Sequence, residues 1–297
     1  MTRSLHLVDV FTDRPCAGNP LAVVTGAKGL SARQMQAFAR EMNFSETTFV
    51  TADAPVSGLW PVRIFTPLRE LPFAGHPALG SAHVIRSALL GGRVERVTLG
   101  LGIGPLPVSV ERVGRRELYW MRQQQPSFGQ RRPRRQVAAA LGLAAADLDT
   151  HPIEEVSTGM PFLIVPVRSR RALERIRVDR DVLLQLVAGL DAKAVLAFAP
   201  GAKTPGCKYS VRVFVDFHGV PEDPATGSAN GCLAAWLVQH RYEHDDALDI
   251  RVEQGIAIGR PSVLHLKAML TSRRIEVRVG GGVVDLARGV LLAARLA

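Results

Sequence analysis

The spacing of apolar residues changes period several times in the first hundred positions. Leu- and Val-rich runs at 5–10 and 21–25 read as strands, separated by the turn-rich stretch Asp13-Arg14-Pro15-Cys16-Ala17-Gly18-Asn19-Pro20. From Ser31 the period becomes helical, with Met35, Phe38, Ala39 and Met42 on one face. Ser31 can cap the first turn while Gln34 reaches back to it, which is a capping box and marks the helix start. Strands are expected next at 46–51 and 62–65. A second helix should begin near Pro77, whose fixed φ suits a first turn, and run through Ala78, Leu79, Ala82, Val84, Ile85 and Leu89. Its residues are small or apolar on most faces. Such a helix has no face to offer water, so it is expected inside a curved sheet.

The second half carries an echo of the first. Arg63-Ile64-Phe65 leads to His76-Pro77-Ala78-Leu79-Gly80-Ser81-Ala82, and Arg212-Val213-Phe214 leads to Asp223-Pro224-Ala225-Thr226-Gly227-Ser228-Ala229. Strand, Pro-containing turn and small-residue helix recur in the same order, which points to a duplication giving two related domains. The segment 123–136, with Pro126, Gly129, Pro133 and four Arg, reads as the connection between them. The expected organisation is therefore a first domain at 1–122, a linker at 123–136 and a second domain at 137–283, with a C-terminal strand at about 284–297 completing the first.

Composition narrows the function classes. With 47% hydrophobic and 22% charged residues the chain is an ordinary globular one, and no apolar run of about 18 residues marks a membrane span. Asp9 interrupts any signal-like apolar segment at the start, so the expected location is the cytoplasm. Cys16, Cys207 and Cys232 are far apart and lack the paired spacings of a zinc site, so neither disulfides nor a metal centre is expected. The net charge of +10 invites a nucleic-acid reading, but only five of the 37 basic residues are Lys and the Arg are spread along the chain. Their clusters, at 131–135 and 168–177, come with no recognition helix or aromatic platform and are assigned to solvated surface. Gly100-Leu101-Gly102-Ile103-Gly104-Pro105 runs into a strand pattern, so no dinucleotide fingerprint forms and no cofactor is expected.

The echo also locates candidate chemistry. Two related buried helices can bring their N-termini to one cleft, where unpaired amides and partial positive charge would hold a carboxylate without a metal. Gly75 and the turn Thr226-Gly227-Ser228 would let the backbone approach such an anion. His76 and Asp223 stand at matching places of the two copies and would flank it. Glu46, between a helix and an apolar strand, is the candidate proton carrier, for which Phe44, Phe49 and Val50 would supply partial burial.

These segments together resemble the PhzF family of phenazine-biosynthesis isomerases. The matching blocks are Asp9-Val10-Phe11 with Gly18-Asn19-Pro20, residues 43–50, Arg63-Ile64-Phe65-Thr66-Pro67 with 70–78, residues 222–231, and Glu253-Gln254-Gly255 with Gly259-Arg260-Pro261-Ser262. The resemblance implies an α+β, diaminopimelate-epimerase-like fold of two pseudo-symmetric domains, each a curved, mostly antiparallel sheet around a central helix. It implies Glu46 as the catalytic glutamate, with His76, Asp223, Gly75 and Ser228 binding substrate or assisting proton transfer, and a homodimer as the assembly. In the family's phenazine enzyme the substrate is trans-2,3-dihydro-3-hydroxyanthranilate. Related epimerases place a cysteine at each buried helix start, where this chain has Ala74-Gly75-His76 and Glu222-Asp223-Pro224, so two-thiol racemisation is not expected. Val215-Asp216 departs from the Ala/Ser-Pro pair common after Phe214, which leaves the substrate open.

Three functions stay in view at this point. The first is a cofactor-independent isomerase that moves a proton between carbons of a small carboxylate. The others are a one-carbon epimerase, with Asp223 opposing Glu46, and a non-catalytic binding protein on the same fold.

Overall fold

Alternation of buried and exposed positions builds the strands that line the core. In β6 (Arg96–Leu101), Val97, Leu99 and Leu101 are buried while their neighbours are open, the period-two pattern of a half-covered strand. The computed structural model describes residues 3–218, 220–272 and 274–291. Two units divide the chain, one of residues 1–121 with 280–297 and one of residues 122–279.

The first unit contains β1 (Ser4–Val10), β2 (Asn19–Thr25), α1 (Ala32–Met42), β3 (Glu46–Val50), β4 (Trp60–Phe65), β5 (Glu70–Leu71), α2 (Gly75–Val84), β6, β7 (Gly104–Val113) and β8 (Arg116–Arg122), closed by β18 (Val283–Val290). Its sheet runs β18-β1-β2-β3-β4-β6-β7-β8, antiparallel except for β2/β3 and β4/β6, with β5 a short hairpin partner of β4. Strand β18 pairs with β1 along the edge of this sheet, and residues 292–297 of the C-terminal strand expected at about 284–297 lie outside the described residues. Helix α2 packs against β1, β2, β3, β6, β7 and β18, so the sheet curls around it. All its residues but His83 are buried, which is why its sequence shows no polar stripe. Helix α1 has the expected capping box and covers the outer face through Phe38, Phe49 and Phe65.

The second unit contains β9 (Ser127–Arg131), α3 (Arg134–Ala140), β10 (Glu154–Ser157), β11 (Pro161–Pro166), α4 (Arg170–Arg175), α5 (Arg180–Ala188), β12 (Val195–Pro200), β13 (Tyr209–Val215), β14 (Val220–Asp223), α6 (Gly227–Gln239), β15 (Ala247–Gln254), β16 (Ser262–Thr271) and β17 (Arg274–Gly281). Its pairing repeats the first: β9-β10-β11-β12-β13-β15-β16, antiparallel except for β11/β12 and β13/β15, with β14 on β13. Order and sense agree strand for strand, which is the duplication in three dimensions. Helix α6 occupies the place of α2, against β10, β11, β12, β15 and β16. Strand β12 is buried on both faces, with Phe198 packed on Trp236 of α6 and Val195, Ala197 and Ala199 in the cluster under α3, α4 and α5.

Two expectations need correction. Residues 127–131 of the expected linker form an edge strand of the second unit, and α3 starts inside the remainder, so 123–136 is not a free connection. The two echo helices also begin at different points of the motif. His76 sits in the first turn of α2, whereas Asp223 ends a strand and α6 starts only at Gly227. Pairing of Asp223 with Val213, and a Ser262 hydroxyl bond to the Pro224 carbonyl at 3.0 Å, hold the second copy extended through those residues.

Candidate active site

Strand alternation sets the direction of Glu46. Glu46 opens β3 in parallel register with Leu21, and Thr48, two residues on, accepts a 2.9 Å hydrogen bond from Ser81 of α2. Residues 46 and 48 share the face turned to the central helix, so the Glu46 carboxylate meets the first turn of α2. There Glu46 Oε2 lies 3.5 Å from His76 Nε2, with the side chains 16% and 6% exposed.

Burial makes His76 a weak base. Desolvation lowers its pKa to about 3, only partly opposed by the hydrogen bond its ring makes to the Pro20 carbonyl. Nε2 has no hydrogen-bond partner, so the bond to Pro20 is made by Nδ1–H and fixes the tautomer. The neutral ring therefore points a lone pair at the Glu46 carboxyl.

Gly75 and His76 are the first two residues of α2, and its N-cap, Ala74, brings no side-chain cap. Helix α6 likewise lacks a side-chain cap, although its N-cap is Thr226. By contrast, Ser31 caps α1 and Asp179 caps α5. The two central helices are thus the long ones whose first-turn amides are left for another acceptor.

In the second unit, Asp223, Thr226, Gly227 and Ser228 lie together at the start of α6, with Asp223 9% and Ser228 6% exposed. The Thr226 hydroxyl is turned inward and donates to Asp223 Oδ2 at 2.5 Å, while its amide donates to Gln254 Oε1 at 3.2 Å. Thr226 therefore spends both donors inside the protein. Gln254 and Asn230, both fully buried, complete this network.

The model of the PhzC-PhzF family, phenazine biosynthesis-like protein, matches residues 8–289. The chain belongs to the PhzC-PhzF family. It is similar to the trans-2,3-dihydro-3-hydroxyanthranilate isomerase of Pseudomonas aeruginosa, with 37% identity over 95% of this chain and 97% of the relative. A Bacillus anthracis phenazine biosynthesis protein of the PhzF family superposes with a TM-score of 0.90 at 26% identity, over 98% of this chain and all of that one. A probable proline racemase from Agrobacterium radiobacter shares the fold alone, with a TM-score of 0.64 at 11% identity, covering 99% of this chain and 94% of its own.

This PhzC-PhzF chain is an isomerase on the α+β, epimerase-like fold that its sequence leads one to expect. Cys232 lies inside α6, where burial pushes its thiol up to about 12, and burial takes Cys207 to about 11. Neither is poised as a thiolate. Among the described residues no group of three or more His, Cys, Asp or Glu is placed to hold a metal, and no helix is long and apolar enough to cross a membrane. Gln254, Asn230 and the Pro20 carbonyl are the contributors that sequence reasoning missed. Gln254 stood in a matching block, but its partners are 24 to 31 residues away in sequence, and no local pattern announces them.

Proposed function

We propose that this isomerase moves a proton between two carbons of a small carboxylate-bearing substrate, with Glu46 as the acid/base. The observation that carries the reading is the 3.5 Å approach of Glu46 to a neutral, tautomer-fixed His76. As base, Glu46 takes a proton from one carbon. The acid form then has a hydrogen-bond acceptor in the neutral His76 Nε2, and Glu46 returns the proton to a second carbon on the same face. Gly75 is assigned to substrate binding through its first-turn amide. Gly227 and Ser228 take the same role in the second unit, and the Asp223 carboxylate accepts from substrate donor groups.

The substrate we infer is trans-2,3-dihydro-3-hydroxyanthranilate or a close relative, supported by the name and near full-length similarity of the Pseudomonas protein. We further assign a homodimer acting in the cytoplasm, where thiols such as Cys16, Cys207 and Cys232 stay free. Light scattering of the purified protein tests the dimer.

The function is tested by incubating the protein with that dihydro-hydroxyanthranilate in D2O and following the ultraviolet and proton spectra. Migration of a double bond, with a proton leaving one carbon and another carbon gaining one, is expected. Deuterium entering one stereocentre without double-bond movement would make the protein an epimerase instead.

A further inference from the structure

We propose that Gln254 and Thr226 form a hydrogen-bonded relay that fixes the Asp223 carboxylate, making both of them positioning residues. The inference rests on the assignment of Asp223 to the reaction and adds what holds it in place.

Every polar atom of the Gln254 amide is committed. Its Nε2 donates to the Asp223 carbonyl at 2.8 Å and to Thr226 Oγ1 at 3.0 Å. Its Oε1 accepts from the Thr226 amide at 3.2 Å and from Asn230 Nδ2 at 2.8 Å. A flipped amide would set oxygen against the Asp223 carbonyl and nitrogen against two donors, so one orientation alone satisfies the site. Because Thr226 Oγ1 accepts from Gln254, its hydrogen is directed to Asp223 Oδ2, at 2.5 Å. The carboxylate is thereby held by a donor that is itself oriented by a fully buried amide.

The backbone around Gln254 is equally constrained. Gly255 has φ +76, and a Cβ there would stand 2.2 Å from the Arg260 carbonyl and 2.6 Å from that of Pro224. Asn230 Nδ2 also donates to the Thr226 carbonyl at 3.0 Å, tying the first turn of α6 to the same amide. With both polar atoms of the Gln254 amide bonded at the start of α6, the network specifies one geometry there, which a carboxylate working on substrate requires.

The test is a mutant cycle on the full-length protein with trans-2,3-dihydro-3-hydroxyanthranilate. Thr226→Val keeps the shape and removes the hydroxyl; Thr226→Ser restores it; Gln254→Met removes the amide. A hydrogen bond to a charged group is worth enough that Thr226→Val and Gln254→Met should each lower kcat roughly 10- to 100-fold. KM should change far less, and Thr226→Ser should stay near wild type. In an Asp223→Ala background neither change should lower kcat further, because both act through that carboxylate. Additive losses, or a Thr226→Val enzyme with normal kcat, would overturn the relay. If Asp223→Ala alone leaves turnover intact, the role of Asp223 fails and the relay falls with it. If Asp223→Ala is slow but Thr226→Val and Gln254→Met are not, the relay alone fails. Should Gln254→Met not fold, or the substrate not be turned over, a crystal structure of Thr226→Val decides: rotation of the Asp223 carboxylate supports the relay, and an unmoved one overturns it.

Discussion

Glu46 Oε2 and His76 Nε2 stand 3.5 Å apart, and the other His76 nitrogen is committed to the Pro20 carbonyl. The pair thus combines a carboxyl that can gain and lose a proton with an imidazole that can only accept a hydrogen bond. Glu46→Gln keeps size and shape but cannot accept the proton, so kcat should fall roughly 100- to 10,000-fold with the melting temperature little changed. Glu46→Asp keeps the charge but withdraws it by a methylene, and should also be slow. Single-turnover kinetics check this, and near-normal proton transfer by Glu46→Gln would move the acid/base role elsewhere.

His76 should remain neutral wherever the enzyme is assayed. Its folded pKa is about 3, against an unperturbed value of 6.5, so between those pH values the unfolded chain binds the extra proton. Stability is therefore undiminished by this group above about pH 6.5 and is lost progressively as pH falls toward 3. Two measurements follow: the His76 ring proton resonances should not titrate between about pH 8 and 5, and the fall of melting temperature with acid should be shallower in His76→Gln.

The duplication is also written in ion pairs. Arg63 bonds Glu70 at 2.6 Å and stacks on Phe65, and Arg212 bonds Glu222 at 2.7 Å and stacks on Phe214. The first pair is open, with side chains 33% and 41% exposed, while the second is 13% and 8% exposed. Glu70→Gln should cost under about 1 kcal/mol. Glu222→Gln leaves Arg212 charged in a mostly closed site and should cost about 3 kcal/mol. Urea unfolding of both variants checks the contrast; equal losses would mean that burial does not govern these pairs.

Much of this was legible in the sequence because it rests on local pattern. The capping box of Ser31 and Gln34, the small and mostly apolar residues of α2 and the repeated Arg-x-Phe and Pro-Ala-x-Gly-Ser-Ala motifs each announce themselves within a few residues. What stayed hidden depends on distant partners. Strand β9 is almost wholly exposed, so it has no hydrophobic alternation, and its flanking Pro and internal Gly imitate a linker; pairing with β10 is what makes it a strand. The different starts of α2 and α6 arise because Asp223 and Pro224 are anchored to β13 and to Ser262, contacts no motif encodes.

The basic stretch around β9 should be dispensable for chemistry. Arg131 meets Glu154 at 3.3 Å with its own side chain 66% exposed, and Glu154 also has His240 beside it. Replacing Arg131, Arg132, Arg134 and Arg135 by Gln should leave kcat at saturating substrate within about twofold, exposed pairs being worth little. A large fall would show that this strand reaches the reacting groups.

The position of His76 depends on how closely α2 lies on its sheet, and Gly80 sets that distance. A Cβ at Gly80 would fall 2.5 Å from Leu21 Cδ2, 3.1 Å from Val10 Cγ2 and 3.3 Å from Val8 Cγ2. Leu21 and Val10 are fully buried and Val8 nearly so, which leaves the Leu21 methyl nowhere to swing without moving its neighbours. Gly80→Ala gains in helix propensity but overpacks the core, and the second effect should dominate, with a net loss of about 1–3 kcal/mol. Relief requires α2 to move away from β1 and β2. Since Glu46 is fixed on β3 and His76 on α2, that shift lengthens the 3.5 Å approach between them. The Gly80→Ala protein should therefore be both less stable and slower, with kcat reduced more than KM is raised. Denaturant unfolding and steady-state kinetics on one preparation check both, and a variant that loses stability but keeps full kcat would show that the pair tolerates a displaced helix.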